Sequence, residues 1–462
     1  QSSHRPALKG QDPTSLVSLI IVRFLNPSPR LVLMLLRGCR FALRRNGSDV
    51  SVMENVDIMI EGNEITKVGR GLKEDEEVVD CSHMIAMPGL VNAHTHLGMS
   101  LLRGYRDDEE LMDWLKSMWT VERGLNEEIV GLSSELSIIE SIMSGTTAFI
   151  DMYFHPSATM EVAKKYGIRG LLGPVFIDGL NDPKLVENEL RNMLSSGNEL
   201  IKPVINVHGI YSVGRDTLER AAALMDETGL PLNMHVDETR DEVMEVRRKY
   251  GKQPIEVLMD VGLVRRNSIF VHLGWASSWE LEIIAREGAS VVHCPTSNMK
   301  LATGGFFPVV ELMKMNVNVG IGTDGPASNN SLDVFREMKM AVLLQRNNYW
   351  STAMKASHAI SMATKNGYEL IGVRGGDIAP GNKADLVLLN ADSIGLLPIG
   401  PDNLISNLVY SATGRDVVAT IVNGKIVYGP HNKDALIERG IEIGRKLENY
   451  KSRLLPAMQL RK

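Results

Sequence analysis

In the stretch MPGLVNAHTHLGMS, residues 87–100, two of the chain's eleven histidines stand one residue apart, just after an apolar run and a Pro-Gly pair. If VNAHTH ends a buried strand, side chains alternate between its faces, so His94 and His96 project from the same face. Two imidazoles aimed at one point can share a metal ion. Asp151, His208, His235, His272 and Asp324 also close apolar, strand-like runs further along the chain. Singly, each reads equally well as a structural histidine or a solvated aspartate. Seven polar groups converging on one mouth are costly unless they bind something.

His94, His96, His235 and Asp324 offer three nitrogens and one oxygen, a donor set that suits one divalent ion, zinc first, with a position open for water. Fe2+, Mn2+ and Ni2+ are the alternatives. Such an ion lowers the pKa of its bound water to roughly 7, which makes hydrolysis the reaction class. Asp324 can accept the proton of that water, and His272 can hold or relay it. Glu238, three residues beyond His235 in NMHVDET, stands where a carboxyl group could protonate a ring nitrogen, as deamination of an aromatic ring requires. As an exposed loop glutamate it would be ordinary.

Eight apolar runs carry these residues, and amphipathic stretches separate them. The runs are IAMPGLVNAH, TTAFIDMY, IRGLLGPVF, KPVINVHG, LPLNMHV, SIFVHL, ASVVHC and NVNVGIGTD. Between them LERAAALMDET (218–228) and WELEIIAREG (279–288) have helical spacing of apolar residues. Eight strand-helix repeats over about 240 residues predict a (β/α)8 TIM barrel at residues 88–375, with chemistry at the C-terminal strand ends. A doubly wound open sheet is the structural rival. Short β runs at 34–87 and 376–430 flank the barrel, and neither could bury its apolar face alone. They are expected to pair into a composite small β-sandwich domain, with residues 431–462 as a closing helix.

At 462 residues and 44% hydrophobic content the chain can fill a large core. A net charge of −6 without a sustained basic stripe excludes nucleic acid and acidic membranes as principal partners and leaves a small molecule. Cys39, Cys81 and Cys294 are odd in number and form no CxxC pattern, which fits unpaired thiols in a reducing compartment. Residues 1–33 read as an added extension: the first methionine is Met34, and SLVSLIIVRFL is broken by Arg23 and lacks a small-residue cleavage site. The expectation is a cytoplasmic protein, and a homo-oligomer.

PGLVNAHTH, the HVDE segment, SIFVHL, HCPTSNMKL, GTDGPASNNSLDVF and PGNKADLVLLN, in that order, resemble the amidohydrolase superfamily. Within it the chain is most similar to the 5'-methylthioadenosine/S-adenosylhomocysteine deaminases, over about residues 34–429. The resemblance implies a single divalent metal and conversion of a 6-aminopurine nucleoside to its inosine analogue with release of ammonia. It also implies roles for single residues. Glu238 would contact the purine ring, Glu122 in SMWTVERGL would hold the ribose hydroxyls, His208 would be a further substrate contact, and Trp114 would wall the base. By residue type alone Glu122 is a helical carboxylate and Trp114 a core aromatic.

Where S-adenosylhomocysteine users are expected to offer arginines, this chain has FIDGLNDPKLVENELRN, with Lys184 at the comparable place. Lysine lacks the planar fork that grips a carboxylate. Of the nucleosides the resemblance implies, S-adenosylhomocysteine among them, methylthioadenosine, adenosine or 5'-deoxyadenosine are therefore expected to be the better substrates. The alternatives are an amidohydrolase acting on another heterocycle, of the guanine or cytosine deaminase or s-triazine chlorohydrolase type, and a non-catalytic scaffold barrel. The cytidine-deaminase zinc signature, H-x-E with P-C-x-x-C, is absent.

Overall fold

The computed structural model describes residues 33–47, 49–73 and 77–459. The segment read as an N-terminal extension lies outside them, apart from Leu33, which opens the first strand.

All eight apolar runs form parallel strands around one barrel. These are β1 Leu90–Thr95, β2 Thr146–Met152, β3 Arg169–Gly173 continued by Val175–Phe176, and β4 Ile201–Pro203 continued by Ile205–Gly209. They are followed by β5 Leu232–Val236, β6 Ser268–His272, β7 Ser290–His293 and β8 Val319–Ile321. The strands read as continuous apolar runs because they are buried on both faces. β3 is interrupted at Pro174, because proline has no N–H to give to a ladder, and β4 is interrupted at Val204. At that break the two strands press together: a Cβ on Gly173 would lie 2.0 Å from the Val204 carbonyl oxygen. Between β8 and β1 the barrel closes at the Thr95–Asp324 bridge, where the Asp324 amide donates to the His94 carbonyl at 3.0 Å.

Local sequence fixes the helices between strands. Ser278–Glu287 starts with a capping box, in which Ser277 and Glu280 satisfy each other's backbone N–H, and stops at Gly288 with φ +72°. Arg240–Tyr250 has Thr239 as its cap, Asp241 and Glu242 in its first turn, and Arg247, Arg248 and Lys249 in its last, matching the helix dipole at both ends. Val91, Ile150, Leu171, Ile269, Val271 and Val292 share one buried cluster with Tyr368 and Leu370 of the short helix Lys365–Leu370.

The flanking β segments join into a single eight-stranded sheet. Leu386–Asn390 runs antiparallel to Met84–Pro88, with Val387 opposite Met87, so strands from the two ends of the chain meet edge to edge. Leu36, Ile58, Ile60, Leu386, Leu388 and Ile421 form its core. Asp385 ties this sheet to the barrel. Its fully buried carboxylate accepts from Arg169 Nε of β3 at 2.6 Å, from Tyr368 Oη at 3.0 Å and from the Asn423 amide at 2.6 Å. Further on, helix Lys433–Gln459 lies against helix α2, Glu127–Met143, through Arg439–Glu135 and Tyr450–Glu128 contacts. Cys39, Cys81 and Cys294 are free and buried. Among the described residues, no helix is long and apolar enough to cross a membrane.

Candidate active site

The C-terminal ends of the barrel strands gather the histidines and acids into one cluster. His94 Nε2 and His235 Nε2 lie 3.0 Å apart, and Asp324 Oδ1 lies 3.0 Å from His96 Nε2 and 3.6 Å from His94 Nε2. His94, His96 and His235 each present a ligand atom within 4.8 Å of the others. Two imidazole nitrogens pointed at each other over 3.0 Å, beside a carboxylate, need a shared cation or proton between them. A divalent ion fits this donor set.

Partners outside the cluster orient the ligands. His96 Nδ1 donates to the Met152 carbonyl, which turns Nε2 toward Asp324. Asp324 Oδ2 accepts from Ser297 Oγ at 2.6 Å, and its Oδ1 accepts from the Gly325 amide at 2.8 Å. His272 Nδ1 donates to Asn298 Oδ1 at 3.0 Å, leaving Nε2 to face Glu238 Oε1 at 3.6 Å. Burial holds His94 down at about 4 and His208 at about 3, and pushes His235 well below the usual imidazole range. These rings are neutral at neutral pH, with lone pairs available. For His96 burial acts in the same direction, but the Asp324 carboxylate outweighs it and holds the ring up at about 9.

The backbone is irregular where these side chains stand. The β1–β2 ladder shifts register between Asn92 and Thr95, around His94, and the β4–β5 ladder shifts between Val207 and Gly209, around His208. His272 (φ +81°), Asp324 (φ +61°) and Asp237 (φ +53°) occupy the left-handed region. Such bulges and strained residues re-aim side chains and cluster at functional sites. Glu242 steadies the segment after Asp237: its carboxylate accepts the Asp237 amide at 3.1 Å and the Glu238 amide at 2.8 Å.

A cleft opens above the cluster. His96, His208, His235, Glu238, His272 and Asp324 line it, as do Trp114 and Glu122 from helix α1, Leu111–Glu122. Burial raises Glu238 to about 8, with the Asp324 charge adding to the effect. Burial likewise raises Glu122 to about 7, against the pull of the Tyr153 hydroxyl that donates to it at 2.8 Å. Lys184 is placed differently. It sits in the exposed first turn of helix Pro183–Ser195, where its backbone N–H is capped by Asp182, and it does not line the cleft. Arg191 of the same helix pairs with Glu227 at 2.6 Å. Asp151, another strand-end residue, accepts the Leu97 amide at 2.7 Å and so braces the turn after His96.

Several residues at the site escaped sequence reasoning. Tyr153, Trp119 and Tyr211 line the cleft, and Ser297 and Asn298 of the CPTSN segment orient Asp324 and His272 respectively. One signal was available: Asn92, Asn206 and Asn233 each stand two residues before a site histidine. Asn233 Nδ2 donates to Asn206 Oδ1 at 3.0 Å, and Asn92 Nδ2 donates to Thr323 Oγ1 at 2.8 Å.

The sequence profile of the amidohydrolase family matches residues 85–427. The chain belongs to the amidohydrolase family. This amidohydrolase is 39% identical over 391 residues to a 5-methylthioadenosine/S-adenosylhomocysteine deaminase of Thermococcus onnurineus, covering 82% of this chain and 91% of that protein. It is 37% identical over 429 residues to a 5'-deoxyadenosine deaminase of Methanothrix thermoacetophila, covering 91% and 99%. The crystal structure of an adenosine deaminase from Xanthomonas campestris with bound zinc superposes with a TM-score of 0.85 at 30% identity, over 90% of this chain and 98% of that one.

Proposed function

We propose that this amidohydrolase deaminates 6-aminopurine nucleosides hydrolytically, giving the inosine analogue and ammonia. The observation that carries the reading is a buried carboxyl, Glu238, held at about 8, 3.6 Å from His272 and within 4.8 Å of a His235 nitrogen, on the same cleft that His96, His235 and Asp324 line. Three relatives whose names are those of adenosine-type deaminases support it.

His94, His96, His235 and Asp324 would hold one divalent ion, with zinc favoured by the nitrogen-rich donor set. When bound, the ion supplies Lewis acidity and a water acidic enough to ionise near neutral pH. Glu238, protonated at neutral pH, donates to the ring nitrogen beside the carbon that water attacks. Asp324 takes up the proton released by the attacking water. His272, its ring fixed by Asn298, holds that proton's path toward the departing amine, which leaves as ammonia while the ring carbon keeps the oxygen, whose remaining proton returns to Glu238. Glu122, bonded to Tyr153, is the carboxylate for the ribose hydroxyls, with His208 as a further contact and Trp114 as an apolar wall.

Amine removal is favoured over dechlorination by Glu238, because a chloride leaving group needs no ring-protonating acid in the same sense. The test is a panel of adenosine, 5'-deoxyadenosine, methylthioadenosine, guanine and cytosine, assayed for ammonia with and without chelator. Chelator-sensitive release from the nucleosides is expected. Release from a free base alone would replace the reading.

A further inference from the structure

Two of the three free cysteines stand side by side in the flanking sheet. Cys39 belongs to the strand Leu33–Asn46, and Cys81 directly follows the strand Glu77–Asp80, which runs parallel to it with Arg37 opposite Asp80. The Cys81 amide donates to the Arg37 carbonyl at 2.9 Å, and the Arg40 amide donates to the Cys81 carbonyl at 3.2 Å. Those two bonds enclose Gly38 and Cys39, two residues facing one, which is a β-bulge. Gly38 takes the extra step with φ +65°, and the ladder to the other neighbour, Asp49–Glu61, shifts register at the same place. The bulge returns Cys39 to the face of Met34 and Leu36, so both cysteines enter one core cluster, each 0% exposed.

Adjacent strands lie about 4.8 Å apart, inside the roughly 4.4–6.8 Å between Cα atoms that a disulfide accepts. The neighbouring Cys39 thiol, with burial adding to it, pushes the Cys81 thiol well up. We infer that Cys39 and Cys81 are a redox site, a dithiol that a small-molecule disulfide oxidises to an intramolecular disulfide within the folded chain. Cys294 serves as the contrast, since its cluster inside the barrel holds no other cysteine.

Entry to the pair runs through the strand Glu77–Asp80. It has four residues, it pairs only with Leu33–Asn46 among the described residues, and Val78 is 39% exposed. Such a short edge opens locally at far less cost than the whole fold. Once it opens, the Cys81 thiol regains water, ionises more readily and attacks the small disulfide; one thiol leaves and a mixed disulfide remains on Cys81. The Cys39 thiolate, one strand away, then attacks the Cys81 sulfur and expels the second thiol. The chain gives up two electrons and two thiol protons, and the S–S bond of the reagent takes them to become two thiols. The closed bridge holds the strands Asp49–Glu61 and Glu64–Gly69 in one covalent loop, which restricts the unfolded chain more than the folded one.

The test incubates the full-length, metal-loaded protein with oxidised glutathione in native buffer, alkylates the remaining thiols after denaturation, and maps peptides by mass spectrometry without reduction. The expected result is a cross-linked Cys39–Cys81 peptide pair with Cys294 alkylated, a Tm raised by several degrees, and reversal of both by dithiothreitol. Cys294→Ser should keep the link and the shift, whereas Cys39→Ser and Cys81→Ser should abolish both. Three alkylated thiols in the treated wild type overturn the proposal, as does a glutathione adduct that stays on either cysteine without a link. So does a link that forms only in urea, or one that leaves Tm unchanged or lower. The wild-type readouts decide the matter even where a serine variant fails to fold.

Discussion

Glu238 Oε1 and His272 Nε2 face each other at 3.6 Å, both side chains almost wholly buried. Burial, with Asp324 nearby, holds the Glu238 proton up to about pH 8. The acid form is therefore present at neutral pH and is lost above that value, so kcat should fall on the alkaline side. Glu238→Gln should lower kcat by about 10²- to 10⁴-fold, the usual worth of a general acid, with bound metal unchanged by elemental analysis. Undiminished turnover would remove Glu238 from the mechanism.

The 3.0 Å approach of His94 Nε2 to His235 Nε2 makes the ligand set testable apart from turnover. His235→Ala should lose bound metal and activity together, whereas His272→Asn should keep the metal and lose activity. Stoichiometric zinc in purified His235→Ala would mean that His235 is not a ligand.

For Glu122, replacement by Gln should raise KM for adenosine about tenfold, the scale of a hydrogen bond to a charged group. With 2',3'-dideoxyadenosine, which lacks the 2' and 3' hydroxyls, the same replacement should change little. An equal loss on both substrates would show that Glu122 acts through Tyr153 and the cleft wall instead.

Asp385 and Arg169, 0% and 3% exposed, join the two sheets far below the cleft. Asp385→Asn leaves the guanidinium buried without its counter-charge, a change that costs about 3 kcal/mol or more. Urea denaturation should show a drop of that size. A drop below 1 kcal/mol would mean that the interface relaxes enough to hydrate Arg169.

At the C-terminal helix, burial alone would raise the Glu135 carboxyl, but Arg439, Lys165 and Tyr166 outweigh it and hold it at about 2. A depressed carboxyl stabilises the fold above its unfolded value of 4.5 and loses that contribution as pH falls through the folded value. Stability should therefore decline between pH 4.5 and 2, and Glu135→Gln should flatten that decline. An acid transition of unchanged depth in Glu135→Gln would assign it to other carboxylates.

Legibility in the sequence followed the range of the physics. The eight strands were readable because a doubly buried strand must be apolar along its length, and the helices between them because Ser277, Glu280 and Gly288 act on their own neighbours. Strand ends marked by His94, His235 and Asp324 followed from the same runs. Lys184 was misplaced as a contact, since sequence position relative to a strand end does not say which way a helix turns its first residues. Tyr153, Ser297 and Asn298 carried no spacing signal, because their roles depend on partners 26 to 31 residues away.

By itself, then, the sequence determined the inventory and order of the barrel strands and the set of nitrogen and oxygen donors at their ends, because burial and side-chain alternation are properties of a few consecutive residues. Only the tertiary structure decided where those donors point. The register shifts at His94 and His208 and the left-handed backbone at His272 and Asp324 arise from how neighbouring strands pair, and pairing brings together segments as far apart as Thr95 and Asp324.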